Sequence, residues 1–192
     1  MNTGAGLAIA YHLEGRAEDV NIALQSGIYQ YVFRLFELFQ LYLLYSADDP
    51  GRYEKTLNRA FALADLFNIK NICPFMMIGL YYTAARKSLN QGDIEQVIIM
   101  LEHFSGLISE KPDQLKPGGD DFFNAIDNWL SDAELGAEVI QNEKTYKQRM
   151  LDAILNDTEL LSVSQDPGIR SIIKKMTTLK ERLNEKNTKN NS

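Results

Sequence analysis

Three stretches in the first 111 residues repeat one rhythm of small, large and turn-forming residues. Leu7, Ala8, Tyr11, Gly15, Val20 and Leu24 make the first, and Leu44, Tyr45, Arg52, Leu57, Phe61 and Ala64 the second. Tyr81, Ala84, Ala85, Gly92, Val97 and Leu101 make the third. The residues expected at the turns, Gly15, Arg52 and Gly92, lie 37 and 40 positions apart. Apolar spacings of three and four on either side of a turn describe two amphipathic helices. A single helical hairpin cannot bury its own apolar stripe, so copies of it must stack, and stacked hairpins present extended surfaces. The rhythm restricts the chain to an all-α fold and points toward binding.

Helices are expected at 4–14, 18–46, 51–68, 73–90, 93–110, 120–131, 133–156 and 167–186, and no run alternates with period two for long enough to make a strand. Several boundaries carry their own chemistry. In Asp48-Asp49-Pro50-Gly51, Asp49 can cap a helix that Pro50 begins. Asn71-Ile72-Cys73-Pro74 repeats that design, Asn90-Gln91-Gly92-Asp93 reads as a tight interhelical turn, and Gln165-Asp166-Pro167-Gly168 opens the last helix. The longest connection, around Lys111 to Asp120, separates a repeat region, 1–111, from C-terminal capping helices of the same domain, 112–186. Trp129, Leu130 and Leu135 are suited to closing the stack, and the polar end 187–192 is expected to be disordered.

Composition narrows the function classes. Apolar residues form 45% of 192, enough for a sizeable core. Net charge is −6, which opposes direct nucleic-acid binding by the chain as a whole. From Ile169 to Ser192 seven Lys or Arg face two Glu, a charge of +5, so the rest carries −11. The single cysteine, Cys73, excludes an internal disulfide and fits a reducing compartment. The N-terminal run MNTGAGLAIAYHLEG has no basic residue ahead of its apolar part, so no secretory leader is expected and the location expected is cytoplasmic. Ile28–Tyr45 is the most apolar stretch, but Gln30, Arg34, Glu37 and Gln40 fall along one helical face, so it reads as amphipathic and buried, with no membrane contact expected.

Candidate chemistry is sparse. His12 beside Glu14, and His103 beside Glu102, provide two isolated imidazoles where a metal site needs three or more converging ligands. Cys73 follows Lys70 at a helix start, yet neither histidine has a sequence reason to lie near it as a base. The acidic set Asp120, Asp121, Asp127, Asp132, Glu134 and Glu138 lacks a calcium-loop pattern and reads as a solvated face. Neither a Gly-x-Ser-x-Gly elbow nor a phosphate-cradling glycine loop occurs. The expectation is a protein that is not an enzyme and uses no metal or cofactor.

The rhythm resembles the tetratricopeptide repeat. Units begun at Met1 and at Ile78 place Leu7-Ala8-Tyr11-Gly15-Val20-Leu24 and Tyr81-Ala84-Ala85-Gly92-Val97-Leu101 in the family's register. A middle unit begun near Leu38 fits in its second helix, at Leu57, Phe61 and Ala64, but has Asp48 at the tyrosine position and Arg52 at the glycine position. Tyr53 to Leu107 is also similar to the repeat domains of bacterial peptide-pheromone sensors of the Rgg, PlcR and Rap type, through AFALADLFNIK and GLYYTAARKSLNQGDIEQVIIMLE. The resemblance implies a short right-handed array of antiparallel hairpins closed by C-terminal helices, and a peptide or protein partner. It also implies ligand contacts from the first helix of each unit: His12, then Tyr42 and Ser46, then Tyr82, Arg86 and Asn90. Arg86 would meet a peptide carboxylate and the tyrosines would stack or hydrogen-bond. Two other functions stay open: the ligand-sensing domain of a transcriptional regulator lacking its DNA-binding module, and an enzyme with an all-helical pocket.

A homodimer is a further expectation. Ile169, Ile172, Met176, Leu179 and Leu183 form a 3-4-3-4 seam on the last helix, which either docks on its own body or pairs with a second copy. The Ile28–Tyr45 helix is the other candidate for the interface.

Overall fold

In a computed structural model, residues 4–45, 49–110, 115–132 and 137–190 are described. Among them are ten helices and no strand: α1 Gly4–Leu13, α2 Ala17–Tyr45, α3 Pro50–Leu66, α4 Ile69–Ile72, α5 Pro74–Asn90, α6 Ile94–Ile108, α7 Asp127–Asp132, α8 Ala137–Leu155, α9 Thr158–Ser162 and α10 Pro167–Asn190. Two compact units result, Met1–Cys73 with Pro117–Leu135, and Pro74–Lys116 with Gly136–Ser192. This division by contact differs from the division into repeat region and cap suggested by sequence, and does not test it.

The glycines of the first and third rhythm end their helices by one mechanism. Gly15 and Gly92 each have φ of 75°, a left-handed conformation that side-chain-bearing residues resist. The next residue then turns back to a carbonyl five positions earlier: Arg16 N–H donates to Tyr11 O at 2.9 Å, and Asp93 N–H to Ser88 O at 2.9 Å. Asp93 at once caps α6, its carboxylate accepting from Gln96 N–H at 3.0 Å. Asp49 caps α3 in the same way through Arg52 N–H at 3.0 Å, with Pro50 beginning the helix. Arg52 therefore lies in the first turn of α3, not in an interhelical turn as its place in the rhythm suggested.

In the first unit α1 returns along α2, with Gly4 against Ala23 and Gly27, where a methyl on Gly4 would overlap the Ala23 carbonyl oxygen. α3 packs on the inner face of α2, and the two helices bury Tyr29, Phe33, Phe36, Leu43, Tyr53 and Ala60. Each large side chain buried there contributes about 1.5–3 kcal/mol. Because nothing between Ala17 and Tyr45 breaks the helix, α2 is one 29-residue element. Leu38–Tyr45 is its last part, so the middle unit has no separate first helix.

The segment expected to be helical at 120–131 is helical only from Asp127. The Asp120 carboxylate accepts Phe122 N–H and Phe123 N–H, each at 3.0 Å, in a local turn of the kind that caps helices, but no helix follows before Asp127. Gln25 accepts Ala125 N–H at 2.9 Å and holds the irregular segment on α2. Burial raises the Asp120 carboxyl, but the bonds from Phe123, Asn68 and Phe122 outweigh it and keep the group below the usual carboxylate range.

In the second unit α5 and α6 form a hairpin about the Gly92 turn, with Tyr81 stacked on His103 at 5.1 Å. Ala85 is fully buried in it, and Ala8 and Ala64 are buried in the first unit, as expected of small residues at crossings. The α10 seam packs within its own unit, on α6 and α8, burying Ile169, Ile172 and Met176. Lys147 of α8 is buried with Glu143 at 2.6 Å and donates to Glu110 O at 2.8 Å.

Two measurements follow. Gly92→Ala, where an added methyl meets no neighbour within 4 Å, lowers unfolding free energy by about 1–2 kcal/mol through backbone strain alone; an unchanged denaturant midpoint contradicts the turn geometry. Since the folded Asp120 carboxyl is depressed, its contribution is present above the unfolded-state value and lost as pH falls through the folded one. Asp120→Asn removes that part of the acid dependence, read from unfolding curves between pH 6 and the acid limit.

Candidate binding surface

The 29-residue α2 is apolar on two opposite faces. The inner face, at Tyr29, Phe33, Phe36 and Leu43, belongs to the core. Half a turn away lie Leu24, Ile28, Tyr31, Leu35, Leu38, Tyr42 and Tyr45, spaced 4-3-4-3-4-3, and all are exposed, from 37% at Ile28 to 82% at Tyr45. The helix read from sequence as amphipathic and buried is thus buried on one face and partly exposed on another. The polar residues do fall in a strip, Gln30, Arg34 and Glu37, but the strip separates two apolar faces. Arg34 is paired with Glu37 at 2.9 Å. A shallow depression of about 380 Å³ lies along the stripe, lined by Leu35, Leu38, Phe39, Leu41, Tyr42 and Tyr45. Over the 22 residues from Leu24 to Tyr45 the stripe runs roughly 30 Å at 1.5 Å per residue.

A smaller apolar hollow in the same unit, about 320 Å³, is lined by Leu66, Phe67, Asn68, Asp120, Phe122 and Phe123. Asn68 sits in the left-handed region at φ 52° where α3 ends, and donates to Asp120 at 3.1 Å. Its polar groups are thus already used in shaping the chain.

The residues expected at ligand positions fall in different places. His12 is exposed on α1 and Tyr42 lies in the α2 stripe, both in the first unit. Ser46 lies outside the described residues. Tyr82, Arg86 and Asn90 belong to α5 of the second unit, with Asn90 exposed at its end. The structure brings Tyr82 and Arg86 together on Asp157. The Tyr82 hydroxyl donates to Asp157 Oδ2 at 2.7 Å, Arg86 Nε lies 3.2 Å from the same oxygen, and Arg86 Nη2 donates to Glu159 Oε2 at 2.9 Å. Asp157 is also the α9 cap, its other oxygen accepting Glu159 N–H at 3.0 Å and Leu160 N–H at 3.3 Å. Its side chain is 5% exposed. Burial first, then the bond to Asp157, pushes the Tyr82 hydroxyl up to about 12, and the bond to Glu159 raises the Arg86 guanidinium. The cluster is a latch holding α9 to α5, with the carboxylates supplied by the chain itself.

Cys73 is buried and its thiol is pushed well above the ordinary value, chiefly by burial, which favours the unreactive protonated form. Tyr29 donates to Ile72 O at 2.9 Å, and its hydroxyl is likewise raised by burial. His12 and His103 are exposed and belong to separate units. Among the described residues no group of three or more His, Cys, Asp or Glu is arranged to hold a metal ion, and no helix is long and apolar enough to cross a membrane.

The described residues are all-helical apart from turns and irregular segments, and one helix, α2, keeps an apolar face exposed. Compared with protein-family models, with curated proteins and with solved structures, the chain matches none.

The latch has a measurable consequence. Asp157→Ala removes a helix cap and both side-chain bonds and lowers stability by about 1–3 kcal/mol. Tyr82→Phe removes one neutral donor and costs less. Equal unfolding free energies for wild type and Asp157→Ala contradict this assignment.

Proposed function

We propose that this chain is a non-enzymatic binding scaffold built from degenerate tetratricopeptide-like hairpins, and that it recognises a peptide or protein. The observation that carries the reading is the exposed stripe of α2, Leu24 to Tyr45, on the face opposite the core. The exposed part of these seven large apolar side chains, from 37% at Ile28 to 82% at Tyr45, adds nothing to the stability of the unit that bears them. They gain free energy only when another surface removes them from water. Tyrosine and leucine in alternation suit such a surface, because tyrosine supplies a large contact area with a polar tip that tolerates water before binding. The α1/α2 and α5/α6 hairpins, each closed by a left-handed glycine, support the repeat assignment. The burial of Cys73 and the internal pairing of Arg86 support a binding role over a catalytic one. In this reading Tyr42 makes partner contact and Arg86 a structural one.

Photo-crosslinking tests it. Benzoylphenylalanine placed at Tyr42 is expected to form covalent adducts with a protein or peptide in the cells that make the chain. The same group at Asn58, exposed on α3, is expected to form far fewer. Adducts absent at Tyr42, or equally frequent at both positions, overturn the proposal.

A further inference from the structure

We infer that the occupant of the α2 stripe is a second copy of this chain, so that two α2 helices pair through Leu24, Ile28, Tyr31, Leu35, Leu38 and Tyr42. The inference rests on the binding role proposed above and names the partner. Three features carry it.

The first is periodicity. The intervals 4-3-4-3-4-3 repeat every seven residues across three heptads, and a seam of that period stays aligned with an identical helix that winds around it. A globular ligand needs no such regularity. The seam on α10 has the same spacing over two heptads but is engaged with α6 and α8 in its own unit, which leaves α2 as the exposed seam among the described residues.

The second is area. At about 200 Å² for a fully exposed large side chain, the exposed fractions along the whole stripe, Leu24 to Tyr45, correspond to roughly 740 Å² per copy. Two copies facing each other along all of it then cover about 1,500 Å², within the range of standard stable protein interfaces. A single patch repeated on both partners also suits a two-fold pair, the commonest closed assembly.

The third is charge. None of the stripe residues is charged, and Arg34, the charged residue nearest it, is paired with Glu37 at 2.9 Å, so two copies meet without like-charge repulsion. The same feature disfavours a lipid surface. Membrane-surface helices carry Lys and Arg on their polar face, whereas α2 has Glu18, Asp19 and Glu37 against Arg34.

Light scattering on the whole chain over a hundredfold concentration range tests the inference. The wild type is expected to reach twice the 21.8 kDa chain mass. Leu35→Glu with Leu38→Glu is expected to stay at 21.8 kDa with at least a hundredfold weaker association and an unchanged circular dichroism spectrum, because both positions are exposed in the single chain. Leu38→Gln, which adds no charge, is expected to weaken association in the same direction, and Asn58→Glu to leave it unaltered. A wild type of 21.8 kDa throughout, or a dimer indifferent to the stripe variants, overturns the inference. A monomer whose Tyr42 position still crosslinks to another protein overturns only the second copy as occupant; a monomer without such adducts overturns the binding role as well.

Discussion

The structure depends on a single helix that has more apolar surface than its own unit can cover. α2 supplies Tyr29, Phe33, Phe36 and Leu43 to the core, and that burial organises α1 and α3 around it. The same 29 residues bear a second stripe facing away. One helix has room for both because a stripe of period 3.5 and its opposite are separated by half a turn, leaving a narrow polar margin at Gln30, Arg34 and Glu37. The inner stripe accounts for folding of the first unit. The outer one leaves much of its apolar area exposed, and from this the proposed function follows.

The second unit shows how polar groups that look available can be committed. Arg86 and Tyr82 sit four residues apart on α5, as a ligand-binding pair would. Yet both converge on Asp157, a carboxylate with little access to water, and Arg86 reaches Glu159 as well. A carboxylate withdrawn from water needs donors, and here it has a hydroxyl, a guanidinium and two backbone N–H groups. Those donors fix the short helix α9, which has too few residues to form by itself.

Much of the fold was legible in local chemistry. Asp49 with Pro50, and Gly92 with Asp93, mark boundaries because each acts on neighbours within five residues. The absence of period-two alternation foretold an all-helical chain. Three things were hidden. Asp120 forms a cap-like turn with the N–H groups of Phe122 and Phe123 that reads in sequence as a helix start, yet the helix begins only at Asp127. Arg86 and Tyr82 find acceptors 73 and 75 residues away, beyond any local signal. The outer stripe of α2 was present in the sequence as a seven-residue period, but it overlapped a buried set of similar composition, so the helix read as simply apolar. Periodicity separates two stripes only when burial shows which one the core has taken.

Hydroxyl-radical footprinting of the stripe tyrosines in the intact chain tests the central claim most directly. Tyr31, Tyr42 and Tyr45 are 56%, 48% and 82% exposed in the single chain, and Phe122, outside the stripe, is 57% exposed. If the outer face of α2 is where this protein meets another, labelling of the three tyrosines falls together as protein concentration rises while Phe122 keeps its reactivity. Labelling of all four that stays constant at every concentration, and on addition of any crosslinked partner, contradicts the claim.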